Sequence, residues 1–578
     1  MRKIQRGTDI AVSRWRLKWL AGIVVVAFLT VIVRLFFIQV LAHEYYRDLA
    51  DAQHTGFADI AAQRGTIYAR DHTNELESEL YPLAISKTFF EIYLTPSEIT
   101  QPVNAADLLA EVLGVDHDTI LQRAQKENDP YETVTSKATD EQMRAIMDAG
   151  IEGIHSRETV WRNYPDKEIG SHIIGFFGVE GSGRVGKYGL EGYWQSELAG
   201  TDEEGMVMRD GLGQIIPSVG SDLGLAEDGA DLVLTIDRTI QYEVCLQLQA
   251  GVERFAADSG TTVVLETDTG AILAMCSYPS FDPNEYGEVK DVNYFNNSAV
   301  FEAYEPGSVF KPLSMAVAID QGLVSPSTTY EDIGEVTIDD RTIKNFDEKA
   351  HGVKTMTEVL QESLNTGIVF ATRQVPNRKF FDYVRAFGFG EKTGVQLSQE
   401  VAGILGKLDS GGDIYKATAS YGQGITVTPL QMVAAINSLA NGGILMQPYI
   451  VDEVRHSDGT VERTEPRQLR RVVSAETADT VSAMMIRVAE EGYDRKASIP
   501  GYYIAGKTGT AQIVENGEYT SKTNHTFVGF GPGPDPRFTV LVKLTNVKNV
   551  GFASDSTTPI FNKIATFLVQ YFKIPPNR

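Results

Sequence analysis

A mixed α/β (α+β) fold is predicted, one antiparallel five-stranded sheet flanked by helices, and three features of the sequence carry the prediction. Residues 261–266 and 271–276 are β-rich runs joined by the turn Asp268-Thr269-Gly270, which makes an early hairpin. Residues 502–510, 526–530 and 539–542 read as a late antiparallel meander of three strands. Apolar helical stretches lie between the two groups. Two early strands and three late ones therefore make one sheet with helices packed against it.

Taken in order, residues 1–18 form a basic tail, with Arg2, Lys3, Arg6, Arg14, Arg16 and Lys18 against Asp9 alone. An uncharged run follows from Trp19 to Val33; Arg34 interrupts it and Leu35-Phe36-Phe37-Ile38 resumes it. With Arg34 snorkelling to the surface, residues 19–41 suffice as a transmembrane helix, since about 20 helical residues cross a ~30 Å apolar core. A cleaved signal peptide is the rival reading. Val40-Leu41-Ala42 is a tolerable cleavage site, but it lies well past a normal apolar region, and Arg34 opposes it. An uncleaved single-pass anchor is expected, its N-terminus cytoplasmic and the remainder outside by the positive-inside rule. The chain carries a net charge of −25, and this acidity repels nucleic acid.

Residues 46–230 mix short strands, helices and Gly-rich turns without a convergent catalytic set, and are expected to form a non-catalytic pedestal. One decoy lies inside it. Gly181-Ser182-Gly183-Arg184-Val185-Gly186-Lys187-Tyr188 resembles a phosphate-binding loop but ends in Tyr188 where Ser or Thr should hold magnesium, so a flexible Gly-rich turn is expected. Residues 231–578 form the second block, opened by Asp231-Leu232-Val233-Leu234-Thr235, after which a helix runs from about 238 to 257. Cys245 and Cys276 read as two buried apolar side chains, with a disulfide left open. Cysteine spacing assembles no zinc site, and the nine histidines contain no H-E-x-x-H pair; no metal or organic cofactor is expected. Thr428-Pro429-Leu430-Gln431 is a capping box with proline in the first turn. It opens an apolar packing helix that stops at Asn441-Gly442-Gly443.

Three short motifs carry the chemistry: Ser308-Val309-Phe310-Lys311, Ser363-Leu364-Asn365 and Lys507-Thr508-Gly509 with Thr510. Each alone is common, and its bland reading is a helix face or a plain hairpin. Pro306-Gly307 breaks the chain before Ser308 and an apolar run follows, so Ser308 is expected in the first turn of a buried helix. Its N–H then lacks an intrahelical partner, and Lys311 shares its face. Serine is a poor nucleophile without an adjacent base. Lysine is a base only when neutral, a state promoted by burial and by a second cation, for which Lys507 is placed. Lys507 with the Thr508 and Thr510 hydroxyls suits a terminal carboxylate, and Gly509 would let the strand lie close to a bound ligand.

The triple of motifs resembles the active-site set of penicillin-recognising enzymes, and the chain as a whole resembles a class B penicillin-binding protein. Tyr304-Glu305-Pro306-Gly307-Ser308 and Tyr421-Gly422-Gln423-Gly424-Ile425-Thr426-Val427-Thr428-Pro429-Leu430-Gln431 match family stretches. So do Arg64-Gly65-Thr66-Ile67-Tyr68, Arg162-Asn163-Tyr164-Pro165 and His172 upstream. After Arg70 the pattern departs: Asp71-His72-Thr73-Asn74-Glu75 looks like a longer acidic excursion.

The resemblance implies a penicillin-recognising serine transpeptidase fold over 231–578 and a dimerisation-type pedestal over 46–230. It implies a D,D-transpeptidase that cross-links peptidoglycan stem peptides and is acylated by β-lactams, in the cell membrane and leaning toward the division septum. Ser308 would attack and Lys311 would act as its base. The N–H groups of Ser308 and Thr510 would hold the oxyanion. Ser363 would relay a proton to the leaving D-Ala amine, and Asn365 would orient Lys311 and the substrate amide. A SEDS-type glycan polymerase of the divisome or elongasome is the implied partner, because the pedestal offers no paired-carboxylate site for glycosyl transfer. The alternatives are a carboxypeptidase or β-lactamase-type hydrolase on the same machinery, an elongation-type transpeptidase, and a catalytically dead scaffold.

Overall fold

The computed structural model describes residues 6–43, 55–60, 62–71, 79–126, 129–181, 183–201, 203–209, 215–216, 227–492 and 495–578. Arg2 and Lys3 of the basic tail, the start of the expected pedestal at residue 46, and the excursion at 72–75 lie outside the described residues. The chain divides into two compact units, residues 1–62 with 200–228, and residues 63–199 with 229–578.

The first unit holds the helix Arg6–Phe36, which continues through a π turn, Phe37–Leu41. Its apolar part, Trp15–Leu41, has 27 residues. At 1.5 Å per residue that is about 40 Å, longer than the ~30 Å apolar core of a bilayer. Arg34 interrupts the apolar pattern but not the helix. Ile23, Val24, Phe28 and Leu29 all point into solvent. A helix that is apolar all round and uncovered by its own chain is suited to lipid. Thr55–Ile60, Glu203–Arg209 and Ile215–Ile216 form a three-stranded sheet in the same unit.

In the second unit the expected five-stranded antiparallel sheet is present, in the order Ile272–Tyr278, Ser259–Glu266, Phe538–Thr545, Glu518–Gly531, Ala505–Glu515. Its central strands read as unbroken apolar runs because both faces are covered. Val263, Leu265, Val528 and Leu541 enter one core with Leu313 and the helix Pro429–Ala440. Val264, Phe527, Val540 and Val542 enter another with the helices Arg238–Phe255 and Thr557–Tyr571. Alternate residues of a strand point to opposite faces, so one run feeds two cores. The Thr428 capping box forms as expected: Gln431 N–H donates to Thr428 Oγ1 at 3.2 Å, and Thr428 N–H to Gln431 Oε1 at 2.8 Å.

The strand that opens the 231 block, Asp231–Asp237, lies outside this sheet. It pairs in parallel with Ile67–Asp71 and antiparallel with Val451–Arg455, inside a seven-stranded sheet. Pedestal strands and a strand from the catalytic block thus share one ladder, and Ile67 and Leu232 share a core with Phe310 and Phe389. The two upstream motifs meet at a residue whose importance the local pattern does not signal. Glu191, fully buried, accepts from Arg64 Nε and from Arg162 Nε, each at 2.7 Å, and from the Tyr164 hydroxyl at 3.3 Å. Burial pushes the Glu191 carboxyl up, but the Arg162 and Arg64 guanidiniums hold it below its ordinary value. The phosphate-loop lookalike is a hairpin, Phe176–Glu180 with Gly183–Lys187, rather than a strand–loop–helix; Ser182 lies outside the described residues. A Cβ on Gly186 would fall 1.8 Å from the Glu191 carbonyl oxygen, so this glycine makes room for the buried charge cluster.

Cys245 and Cys276 are joined by a disulfide, which corrects the expectation of two free buried thiols. The helix Arg238–Phe255 packs on the strand Ile272–Tyr278, bringing the two Cα atoms to 5.5 Å, a separation that permits a bridge.

Candidate active site

Ser308 lies in a 3₁₀ turn, Gly307–Phe310, that runs straight into the helix Lys311–Asp320. Gly307 takes φ +60°, and its N–H donates to the Gly422 carbonyl at 3.0 Å. Phe310, Leu313 and Val317 are buried and anchor the helix behind it. Lys311, three residues beyond Ser308, is fully buried. Its Nζ donates to the Ser363 carbonyl at 2.5 Å and to Ser363 Oγ at 3.2 Å. Burial first, and the Lys507 charge second, hold the Lys311 amine well below the usual lysine pKa. A neutral amine has two N–H bonds and one lone pair. With both N–H bonds spent on Ser363, the lone pair is left to take a proton.

Ser363 reaches that position through an uncommon backbone conformation. The helix Met356–Gln361 ends in a Schellman motif: Ser363 N–H donates to Leu360 at 3.3 Å and Leu364 N–H to Val359 at 3.0 Å. Ser363 occupies the left-handed position of that motif, at φ +55°. Glycine is the usual residue there, and a side chain costs about 1–2 kcal/mol. What the serine adds is a hydroxyl beside Lys311, and strain of this kind clusters at functional sites. Asn365 then opens the next helix, Asn365–Thr372, and its Nδ2 donates to the Lys344 carbonyl at 2.9 Å. The expected contact between Asn365 and Lys311 is therefore replaced: Ser363 holds the amine, and Asn365 ties its helix to the strand Arg341–Lys344.

Lys507, Thr508, Gly509 and Thr510 lie on Ala505–Glu515, the edge strand of the five-stranded sheet. Lys507 and Gly509 are buried while Thr508 and Thr510 are half-buried, as strand alternation requires. Lys507 Nζ donates to the Thr508 carbonyl at 3.2 Å and approaches Thr508 Oγ1 at 3.5 Å. Thr510 Oγ1 accepts from Ala553 N–H at 3.2 Å. Gly509 has a packing reason of its own. A Cβ there would sit 2.9 Å from the Pro306 carbonyl oxygen and 3.1 Å from Val309 N, so the backbone it admits is the nucleophile turn itself.

A cavity of 540 Å³, within the range of ligand sites, is lined by Ser308, Ser363, Asn365, Thr508 and Thr510. Lys311, Lys507 and Gly509 stand behind its wall, so all eight residues singled out in the sequence converge. Other lining residues carried no chemical motif. Tyr421 and Gln423 belong to a stretch in which Gly422 is forced by a carbonyl 2.2 Å from where its Cβ would be. Its neighbour Gly424 donates its N–H to Glu305 Oε1 at 2.9 Å. Asn345–Asp347, His351 and Glu362 form another part of the wall, and Phe346 meets Phe552 edge-on at 5.5 Å across 206 residues of sequence. Only the fold joins those segments. Among the described residues no group of three or more His, Cys, Asp or Glu side chains is placed to hold a metal ion.

Residues 260–566 match the family described as Penicillin binding protein transpeptidase domain, and residues 59–234 match Penicillin-binding Protein dimerisation domain. The chain is 32% identical to Stage V sporulation protein D of Bacillus subtilis, over 96% of this chain and 85% of that protein. It is 30% identical to penicillin-binding protein PbpB of Mycobacterium tuberculosis, over 96% of this chain and 84% of the other. Penicillin-binding protein 3 of Mycobacterium tuberculosis, solved with aztreonam, superposes with a TM-score of 0.68 at 26% identity, covering 90% of this chain and 98% of that one. With the transpeptidase-domain match over 260–566 and 32% identity to one relative across 96% of this chain's length, the chain belongs to the class B penicillin-binding proteins, the serine D,D-transpeptidases of peptidoglycan synthesis.

Proposed function

We propose that Ser308 is the nucleophile and Lys311 its base in stem-peptide cross-linking. Ser308 Oγ attacks the penultimate D-Ala carbonyl as Lys311 Nζ takes its proton. The N–H groups of Ser308 and Thr510 hold the oxyanion. Ser363 passes the proton to the departing D-Ala amine, and the amine of a second stem then resolves the acyl-enzyme. Thr508 and Thr510, backed by the Lys507 charge, receive the terminal carboxylate. β-Lactams acylate the same serine. The observation that carries this reading is the buried Lys311 amine, depressed by burial and by Lys507 and held on Ser363.

Residues 1–18 are read as a cytoplasmic tail, 19–41 as the span, 46–230 as the pedestal and 231–578 as the transpeptidase domain. The basic tail supports an extracytoplasmic catalytic unit, and so does the disulfide, a bond that persists in oxidising compartments. A SEDS-type polymerase supplies the glycan strands, with the anchor as its contact. The resemblance around Tyr304-Glu305-Pro306-Gly307-Ser308 favours a place at the division septum, and localisation of a tagged copy tests that placement. For the chemistry, Ser308→Ala should abolish covalent labelling by a fluorescent penicillin while thermal unfolding stays unchanged. Label retained on the variant and mapped to another serine would overturn the assignment.

A further inference from the structure

The cavity that holds Ser308 has a second group of ionisable side chains on its wall: Asp347, His351 and Glu362. His351 is mostly buried and sits between the two carboxylates. Its Nδ1 lies 3.1 Å from Glu362 Oε2, and its Nε2 lies 3.2 Å from Asp347 Oδ2. The arrangement is anchored from beneath by Asp332, which is 2% exposed. Asp332 accepts from the His351 backbone N–H at 3.0 Å, from Asn345 Nδ2 at 2.8 Å and from Thr366 Oγ1 at 2.7 Å. Thr366 follows Asn365 and Glu362 precedes Ser363, so the group is fastened to the Ser-Leu-Asn segment on both sides. Lys354 also pairs with Glu362, and Lys349 N–H donates to Asp347 at 3.2 Å.

A neutral imidazole carries one N–H, and whichever ring nitrogen holds it, the other turns its lone pair toward a carboxylate 3.1–3.2 Å away. Two acceptors then face each other with no proton between them. A cationic amine supplies what is missing, because it can donate to both. Behind Thr508 and Thr510 the site is cationic, through the Lys507 ammonium. The cavity therefore separates a carboxylate-seeking side from an ammonium-seeking side, as a reaction between a donor ending in a carboxylate and an acceptor bearing an amine requires.

We propose that His351, held between Glu362 and Asp347, binds the ammonium of the second stem and takes its proton before it attacks, a role resting on the Ser308 acyl-enzyme reading above. One N–H bond of the ammonium breaks and the proton passes to the bare ring nitrogen of His351. The freed lone pair forms the C–N bond to the acyl carbonyl carbon. As the tetrahedral species collapses, the C–Oγ bond breaks, and a second proton from the nitrogen returns to Ser308 Oγ through Ser363 and Lys311. His351 then releases its proton to water.

The test uses the full chain with a thioester acyl donor and two acceptors: a synthetic stem peptide with a free side-chain amine, and hydroxylamine, which is already neutral at neutral pH. His351→Gln should slow resolution by the peptide amine by about 10²–10⁴, the usual worth of a general base. Resolution by hydroxylamine and acylation by benzylpenicillin should stay within about threefold of the full-chain values. Equal losses with both acceptors, or no loss with the peptide amine, would overturn the proposal. Should His351→Gln also lose acylation, Asp347→Asn decides: a rise of about tenfold in acceptor KM with acylation retained supports it, and an unchanged KM overturns it. Ser308→Ala separates the two readings, because label retained there overturns the acyl-enzyme assignment and not the acceptor role alone.

Discussion

Ser363 has to satisfy two demands on one α-carbon, the left-handed turn that ends its helix and the hydroxyl that Lys311 contacts. The demands can be separated experimentally. Ser363→Gly should leave stability unchanged or raise it by about 1 kcal/mol, since the strain is relieved. It should slow penicillin acylation by about 10² or more, since the hydroxyl is lost. Acylation at the normal rate would make the hydroxyl dispensable. Lys311→Ala should slow acylation by about 10³. In the unaltered protein the Lys311 amine stays neutral to lower pH than an ordinary lysine, and acylation should fall as pH drops through its depressed value. Lys507→Gln removes one of the two causes of that depression, so the acid limb of a stopped-flow acylation profile should move to higher pH. An unmoved limb would mean that burial alone sets the Lys311 pKa. Ser308 and Lys311 were legible from their local pattern, and Ser363 and Lys507 through the resemblance of the three motifs to the family's set. The φ of Ser363 was not, because a left-handed serine looks like any other serine in a sequence.

Between the elements, buried charge does the fastening. Arg64 enters the strand Ile67–Asp71, Arg162 lies in the strand Ile154–Asn163, and Glu191 in a short helix holds both. Glu191→Gln would leave two guanidiniums in the interior with reduced compensation. Breaking such a pair typically costs about 3–5 kcal/mol, and chemical denaturation of the anchor-free protein should read that loss. The pH dependence has a definite sign. The folded Glu191 carboxyl lies below its ordinary value, so its stabilising contribution is present above the unfolded pKa, about 4.3, and is lost as pH falls through the folded value. The Gln variant should therefore be less stable at neutral pH and lose less on acidification. Equal stability of variant and parent at neutral pH would show that the cluster is not a fastener. The arginines stood out in the sequence through the family resemblance, and Glu191 did not. A single carboxylate in Gly189–Tyr193 acquires its meaning only when two distant strands converge on it.

For the molecule as a whole, the apolar helix and the catalytic machinery occupy different units of the chain. A version beginning near residue 46 should be soluble and should still be labelled by penicillin. A cooperative melt without label would show that the anchor contributes to the active site. The five strands of the catalytic sheet were readable because their apolar runs are long and bounded by turns. Residues 231–235 were recognised as the opening of a block, but not as part of a strand, Asp231–Asp237, in the other sheet. Its apolar run reads the same whichever partner it takes, and Ile67 and Val451 of the partner strands share its core.

What the sequence determined by itself was local: helix starts at Ser308 and Thr428, the alternation that feeds two cores from one strand, the apolar span, and the order of three motifs whose chemistry needs a base beside a serine. Each depends on residues within a few positions of one another, where backbone geometry fixes the relation between side chains. Tertiary structure alone decided what joins distant segments. It closed Cys245 on Cys276, set Gly509 against the Pro306 carbonyl, gave the amine of Lys311 to Ser363 and brought His351 between Asp347 and Glu362. Those pairings rest on close packing of elements far apart in the chain, and packing is a property of the assembled core that no local pattern contains.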